Sequence, residues 1–385
     1  MRRDIACVAA LVILAVGLTW GTWGDPPQWK PDALYYQAQM LEIHGVEWKE
    51  ALDRVFTGPL AEPRLIEERT EPGAIQRLTD PEWVEYSSQF YRRRWVFPII
   101  GAAVEPVLGT NSLQIVSLTG FVLVGPLLFL LLRLRFRTVP SALAAGACVL
   151  LPPLHYWAEQ PQTDSLAVAV EALALLLGVL ALDRGRRWLI PWALGVLVLG
   201  FTRDASFVVV AGVAWVLLRE RTRRAAWMLG LGVLAALPPL VLFGAPFRTS
   251  LGYMFGNFII PPNTSWGYIL ENYPKGLRRI QINDMEYLFD HPLTAVAAIG
   301  GLVALFAIRR SGDSYFTFMR GAGVAALAYP LLQPNYTALR LELVVVPYIA
   351  VGLALAGSLA TDLIGRRAAE RPSSALDAAH PPPAA

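Results

Sequence analysis

Residues 112–137 read SLQIVSLTGFVLVGPLLFLLLRLRFR, and this stretch decides the fold class. Its first part has no ionisable side chain, and it ends in Arg133, Arg135 and Arg137. A helix rises about 1.5 Å per residue, so about twenty residues cross the roughly 30 Å hydrocarbon core of a bilayer. Arginines directly after such a run are typical of the cytoplasmic end of a span. The stretch therefore predicts a transmembrane helix.

The same pattern repeats along the chain. Of its 385 residues 55% are hydrophobic and only 16% are charged, whereas about 25% of a soluble domain is charged. We therefore predict an all-α polytopic membrane protein with about ten transmembrane helices and a large first outer loop. The predicted spans are about 4–18, 112–132, 139–154, 164–184, 188–201, 205–218, 225–243, 292–308, 316–332 and 341–359.

The arginine clusters predict the orientation of these spans. With ten spans and an N-terminus inside, the clusters after every second span all face the cytoplasm. Residues 1–365 then form one transmembrane domain, with 24–111 as the first outer loop and 244–291 as the second. We expect both termini in the cytoplasm and the protein in the cell membrane. Residues 366–385, rich in Pro and Ala, predict a disordered tail.

The first outer loop mixes charged and aromatic residues. Its pattern predicts helices at Asp32–His44 and Trp48–Phe56. The apolar stretch Trp95–Leu108 is too short to span easily, which favours a helix along the interface or a re-entrant helix.

Several function classes lack support in the sequence. The net charge of +3 is explained by topology, so it does not indicate nucleic-acid binding. No Walker loop, dinucleotide fingerprint or Cys/His metal spacing is present. Cys7 and Cys148 both lie in apolar runs, which argues against a disulfide framework.

Carboxylates gather at the predicted outer ends of the spans. Asp32 follows Pro31 and either caps the next helix or serves as a general base at the membrane surface. Glu159 and Asp164 lie in the turn before span four, where Asp164 is also a natural cap. Glu171 lies two helical turns deeper. It indicates either a polar cavity entering from outside or a hydrogen bond between helices.

Arginines on the outer side are unusual, because cytoplasmic loops normally carry the basic residues. Arg203 and Arg340 can each grip a phosphate with two hydrogen bonds, or form ion pairs with Asp204 and Glu342, respectively. Arg94 and its two preceding arginines fit either a catalytic site or lipid headgroups.

These features together resemble the GT-C glycosyltransferases, membrane enzymes that use polyprenyl-phosphate-linked sugars, such as bacterial aminoarabinose and mannosyl transferases. Residues 32–38, DALYYQA, are similar to the motif after the family's first span, and residues 91–98, YRRRWVFP, to its basic-aromatic-Pro segment. Thr202-Arg203-Asp204 resembles the family's Thr-Arg-Pro-Glu element with Asp in place of Pro. Arg340 and Pro347 resemble the Arg-to-Pro spacing of a late span. The family tends toward more spans and often has a soluble C-terminal domain.

The resemblance implies inverting transfer of a sugar from a polyprenyl-phosphate donor to a lipid, glycan or protein acceptor at the outer face. The implied roles are base for Asp32, or alternatively Asp164 or Glu159; phosphate binding for Arg203, Arg340 and Arg94; and cavity lining for Glu171, Tyr35 and Tyr36. Trp266, Tyr268 and Tyr273 would stack on sugars or anchor the interface. The family includes the possibility of a divalent cation as cofactor, but the first loop lacks an Asp-x-Asp or Asp-Glu pair, which argues against metal use. The rival interpretations are a transporter or flippase of lipid-linked or small solutes and a non-catalytic membrane assembly protein.

Overall fold

A computed structural model describes residues 2–23, 31–56, 80–243, 247–255, 261–308, 312–332, 339–340 and 342–369. Within these ranges the chain is all-helical and contains no strand. The α-helices are α1 Arg2–Leu18, α2 Pro31–Ile43, α3 Trp48–Phe56, α4 Pro81–Ser88, α5 Val96–Leu108, α6 Ser112–Arg133, α7 Thr138–Val149, α8 Pro152–Ala158, α9 Asp164–Arg184, α10 Leu189–Thr202, α11 Ser206–Glu220, α12 Arg223–Phe243, α13 Phe247–Phe255, α14 Trp266–Asp290, α15 Pro292–Ala307, α16 Ser314–Leu332 and α17 Val346–Ala369.

Four helical segments of the described chain are long and apolar enough to cross a membrane. The number rises to six if the bent pairs α7–α8 and α14–α15 each count as one span. These apolar helices indicate a membrane protein, but the predicted count of ten is not confirmed. The four segments are Val96–Arg133, Asp164–Arg184, Arg223–Leu242 and Glu342–Leu363.

Helix length explains most of the difference from ten. The helices α1, α10, α11 and α15 contain 17, 14, 15 and 16 residues, respectively, and about twenty are needed for a full crossing. Helix α16 is longer, but its apolar run includes Arg320, whose guanidinium donates to the carbonyl of Leu305 at 2.8 Å. The apolar runs predicted at 188–201, 205–218 and 292–308 are similarly short, so the sequence located these helices without deciding whether each one crosses the membrane.

Helix α9 lies at the centre of the bundle. It packs mainly against α6 and α10 and also touches α11, α16 and α17. Gly120 of α6 allows the closest approach, because a Cβ there would lie 2.6 Å from the Cα of Leu166. As a result the first residue of α9, Asp164, is enclosed on all sides at one end of the bundle.

The two helices predicted in the first outer loop are confirmed as α2 and α3, with α2 shifted by one residue. They form a small apolar core with α4, in which Leu34, Val55 and Val84 are buried. The opposite side of α2 packs Tyr36 and Met40 into a second cluster with residues of α5, α6 and α9. Helix α2 therefore packs against the other loop helices on one side and against the bundle on the other.

The other predicted loop segments are also largely helical where the structure describes them. The stretch expected to be an interfacial or re-entrant helix is α5, which continues into α6 through a turn at Gly109, where φ is 58°. The second outer loop contains α13 and α14. Helix α17 extends to Ala369, and the rest of the predicted tail lies outside the described residues.

Candidate active site

Asp164 is the centre of a buried charged cluster. Its Oδ1 accepts a hydrogen bond from Nε of Arg340 and its Oδ2 accepts one from Nη2, both at 3.1 Å. The carboxylate also forms an ion pair with Arg203. Asp164 is the first helical residue, the N-cap position is Thr163, and Thr163 makes no side-chain capping bond. The contacts given for the Asp164 carboxylate are with the two arginines, so interhelical pairing accounts for it. Gln162 accepts a further hydrogen bond from Arg340. The cluster thus joins α9 to the segments after α10 and before α17.

Asp32 reaches the same cluster from the first outer loop. Pro31 is the first residue of α2, a position that suits its fixed backbone angle, and it places Asp32 in the first turn. Oδ1 of Asp32 accepts from the Tyr91 hydroxyl at 2.7 Å, and Oδ2 lies 2.6 Å from Nη1 of Arg340. Both partners of the Asp32 carboxylate are thus side chains of other segments of the chain. Arg340 therefore bridges Asp32 and Asp164.

The pKa of Asp32 is set by two opposing effects. Burial raises the pKa of the carboxyl, but the charges of Arg340 and Arg94 and the Tyr91 hydrogen bond lower it below its ordinary value of 3.8. The carboxyl is consequently ionised at neutral pH. An ionised carboxylate is the form that a general base requires.

The segment after α4 supplies two more arginines. Asp80 caps α4 by accepting from the backbone amides of Glu82 and Trp83, which fixes the start of this segment. Arg93 forms a buried ion pair with Asp204.

Arg94 is less fully paired. Its Nη1 donates to the Tyr36 hydroxyl at 2.8 Å, and its nearest carboxylate contact is Asp204 at 3.9 Å. Its buried Nε has no hydrogen-bond partner among the described residues, which is equally true of Arg93, so the long distance to Asp204 is what distinguishes Arg94. Arg94 therefore keeps capacity for a further anion.

Accessibility separates the members of the cluster. The side chains of Asp164 and Asp204 are 0% and 4% exposed, but that of Asp32 is 15% exposed. Among the arginines, Arg94 is 12% exposed and the others no more than 7%. Asp32 and Arg94 therefore form the accessible edge of the cluster.

Not every predicted site residue lies in this cluster. Glu159 accepts from the Thr22 hydroxyl at 2.8 Å and is about one-third exposed. Glu171 is buried deeper in the bundle and accepts from the Tyr348 hydroxyl at 3.0 Å, as the hydrogen-bond interpretation expects. The ring of Tyr35 stacks on Tyr91 with centroids 4.5 Å apart, which places Tyr35 behind the residue that contacts Asp32.

The structure adds Tyr91 and Trp157 to the candidate site and gives Asp204 a partner that the sequence did not predict. Tyr91 binds Asp32, and Asp204 pairs with Arg93 instead of its neighbour in sequence, Arg203. The Arg340 guanidinium lies 4.6 Å from the centroid of the Trp157 ring. An aromatic hydroxyl next to an arginine run was the available signal for Tyr91. Nothing in the sequence indicated the partner of Asp204.

The cluster suits an anion better than a metal ion. Among the described residues, no group of three or more His, Cys, Asp or Glu side chains is arranged to hold a metal. Each carboxylate of the cluster faces at least one guanidinium, and guanidinium groups favour phosphate or carboxylate ligands. The described residues of the cluster therefore do not fit the divalent cation that the resemblance left open.

Comparison with known proteins neither supports nor opposes these assignments: no protein-family model matches the chain, and no curated protein matches it significantly.

Proposed function

We propose that the protein is a membrane glycosyltransferase of the GT-C kind, which transfers a sugar from a polyprenyl-phosphate donor to an acceptor hydroxyl with inversion. The observation that carries this proposal is the juxtaposition of an accessible ionised carboxylate, Asp32, with the incompletely paired guanidinium of Arg94 and the bridging guanidinium of Arg340. A general base beside cationic donors is what displacement at a sugar phosphate requires.

The donor phosphate is assigned to Arg94 and Arg340. Among the described residues no carboxylate lies closer to Arg94 than 3.9 Å, so an entering phosphate gains hydrogen bonds there without breaking a close ion pair of this part of the chain. Arg340 lies on the other side of Asp32 and can exchange its contact with Asp32 for one with the phosphate. Arg203 is committed to Asp164 and is 6% exposed, which favours a supporting role over direct phosphate contact.

Asp32 is assigned the role of base. The acceptor oxygen attacks the anomeric carbon, and the bond from that carbon to the phosphate oxygen breaks. Asp32 takes the hydroxyl proton, and the bonding electron pair leaves with the phosphate, whose charge the guanidiniums stabilise. When phosphate draws Arg340 away, the carboxylate loses its strongest cationic partner and becomes more basic at the moment it is needed.

Asp164 is better assigned as a positioning residue than as a second base. Both of its oxygens accept from guanidiniums and its side chain is fully buried, so no oxygen is available to an acceptor. Glu159 lies in a separate contact with Thr22, which does not favour a catalytic role.

The finer topology belongs to the same proposal. Besides the longer apolar segments, we propose that α1, α10, α11, α15 and α16 also cross the bilayer, which gives ten spans with α6, α7, α9, α12 and α17. Short helices can cross where the bilayer thins or flanking residues extend to the interface. In support, residues near ends of α9, α10 and α17 meet in one cluster, and Arg135 contacts Asp183 and Asp313 at 2.8 and 2.9 Å near the opposite end of α9.

The decisive experiment replaces Asp32 by Asn and measures sugar transfer in proteoliposomes, using a panel of polyprenyl-phosphate-linked hexoses and pentoses. The amide keeps the shape of the side chain but cannot accept the proton, so kcat should fall by about 10²–10⁴. The matched control is Asp53→Asn, which changes an exposed carboxylate of α3 in the same outer loop and should leave the rate unchanged.

Two outcomes would contradict the proposal. A folded Asp32→Asn protein with native kcat would remove Asp32 as base. No transfer by the native protein from any donor in the panel would exclude sugar transfer from these donors.

A further inference from the structure

Helix α14 has one face packed mainly on α13, through Leu251 and Phe255, and the other face exposed. The buried face contains Ile269, Gly276 and Ile280. Toward the C-terminal end the exposed side contains the large apolar residues Ile282 and Phe289 on one side of the helix, beside the exposed carboxylates Glu286 and Asp290. Large apolar side chains are unfavourable when exposed to water, so we expect an apolar medium or partner to cover this surface.

The exposed apolar surface continues round the corner into α15. The helices α14 and α15 are bent by 111° at His291. After the corner, Leu293 and Val296 are exposed as well, and Phe289 and Leu293 are 81% and 84% exposed. We call this surface the elbow: it consists of Ile282, Met285, Phe289, Leu293 and Val296.

The two helices differ sharply in charge. Helix α15 has no ionisable residue, but α14 has seven in 25 residues. Ionisable side chains facing lipid in the bilayer core are costly, so α14 does not suit a crossing. If α15 runs along the membrane normal, the 111° bend inclines α14 by about 20° from the membrane plane.

The inner side of α14 is attached to the end of the bundle that contains the charged cluster. The Tyr273 hydroxyl donates to the carbonyl of Leu331 at 2.5 Å, near the end of α16. Asp284 accepts from the backbone amide of Leu339 at 3.0 Å, directly before Arg340. Leu339 has φ of 49°, a conformation that a residue with a side chain rarely adopts, and the Asp284 contact holds it there.

We propose that α14 is an interfacial helix and that its elbow is inserted into the lipid surface of the bilayer, at the same end of the bundle as the charged cluster. The occupant is lipid because the elbow is continuous with the exposed apolar face of α15, which contains Ile299 and Val303. The exposed Arg278 precedes the elbow on the same face, where a lipid phosphate can accept from it. The elbow serves as a lateral anchor beside the Arg340 turn. This inference does not require sugar transfer.

Spin labels at single cysteines test the proposal in nanodiscs of phosphatidylethanolamine and phosphatidylglycerol. The full chain with Cys7→Ala and Cys148→Ala supplies the background. Labels replace Met285 and Phe289 in the elbow. Control labels replace Glu271 and Lys275, two polar residues in the N-terminal half of α14 that are similarly exposed. Collision with oxygen reports lipid, and collision with a water-soluble nickel chelate reports water.

The proposal expects the ratio of oxygen to nickel collision rates to be several-fold higher at the two elbow positions than at the two controls. Equal ratios would place the elbow in water and overturn the proposal. Low collision with both reagents, together with dipolar broadening between labels, would assign the elbow to a second copy of the chain and also overturn it. Because the readout is independent of catalysis, either failure leaves the proposed sugar transfer to be judged separately.

Discussion

Replacing Asp164 by Asn should destabilise the protein strongly, because it removes the anion from the centre of the charged cluster. Asp164 is fully buried and accepts from both Arg203 and Arg340. The amide cannot compensate two guanidinium charges, and its NH₂ group would face one of them. Removing one member of a buried ion pair costs about 3–5 kcal/mol. We expect a loss of that size in the free energy of unfolding.

The matched control is Glu159→Gln, the same type of change in the turn just before α9. Glu159 is about one-third exposed, and its main contacts are Thr22 and His155. Its loss should cost about 1 kcal/mol or less. Reversible unfolding in sodium dodecyl sulfate, monitored by tryptophan fluorescence, measures both variants.

A double-mutant cycle separates the pairing from other effects of the substitution. In Asp164→Asn with Arg203→Gln, one stranded guanidinium is also removed, so the double variant should be more stable than the sum of the two losses predicts, by about 1–3 kcal/mol. Strict additivity, or a cost for Asp164→Asn no larger than that for Glu159→Gln, would refute the reasoning that this carboxylate compensates the arginines.

Three further predictions concern packing, pH and topology. Gly352→Ala should abolish stable folding, measured as monodisperse protein in size-exclusion chromatography, because its Cβ would clash with the carbonyl oxygen of Gly301; Gly357→Ala, with no contact closer than 3.9 Å, is the control. The lowered pKa of Asp32 means that its stabilising contribution is complete above pH 3.8 and lost as pH falls through the lower, folded value, so it should not vary between pH 8 and 5. In the Arg340→Gln variant, burial should outweigh the remaining partners of Asp32 and raise the pKa of its carboxyl above the ordinary value. The stability of this variant should therefore increase as the pH is lowered from 6 to 4, which the thermal midpoint measures. A thermal midpoint that depends on pH as in the native protein would contradict this. A green fluorescent protein fused after residue 385 should fluoresce and an alkaline phosphatase there should be inactive, whereas the reverse pattern would contradict a cytoplasmic C-terminus.

Sequence patterns located the helices well because helix formation depends mainly on local properties. The apolar runs and their arginine ends predicted the helical membrane class, and the helices at residues 32–44 and 48–56 are found within one residue. The predicted runs 188–201 and 205–218 were already as short as α10 and α11, so the sequence left open whether such helices cross the bilayer. It also did not show that α5 continues into α6 through the turn at Gly109.

The sequence by itself determined which polar residues collect at one predicted face, because hydropathy and arginine distribution depend on position along the chain alone. Only the tertiary structure decided their partners. Asp204 is adjacent to Arg203 but pairs with Arg93, and Arg340 reaches Asp32 across most of the chain. Such pairings depend on how closely the helices pack, as Gly120 permits between α6 and α9. A side chain of a few ångströms can bridge two helices only where the packing brings their ends together, and no local pattern encodes that distance.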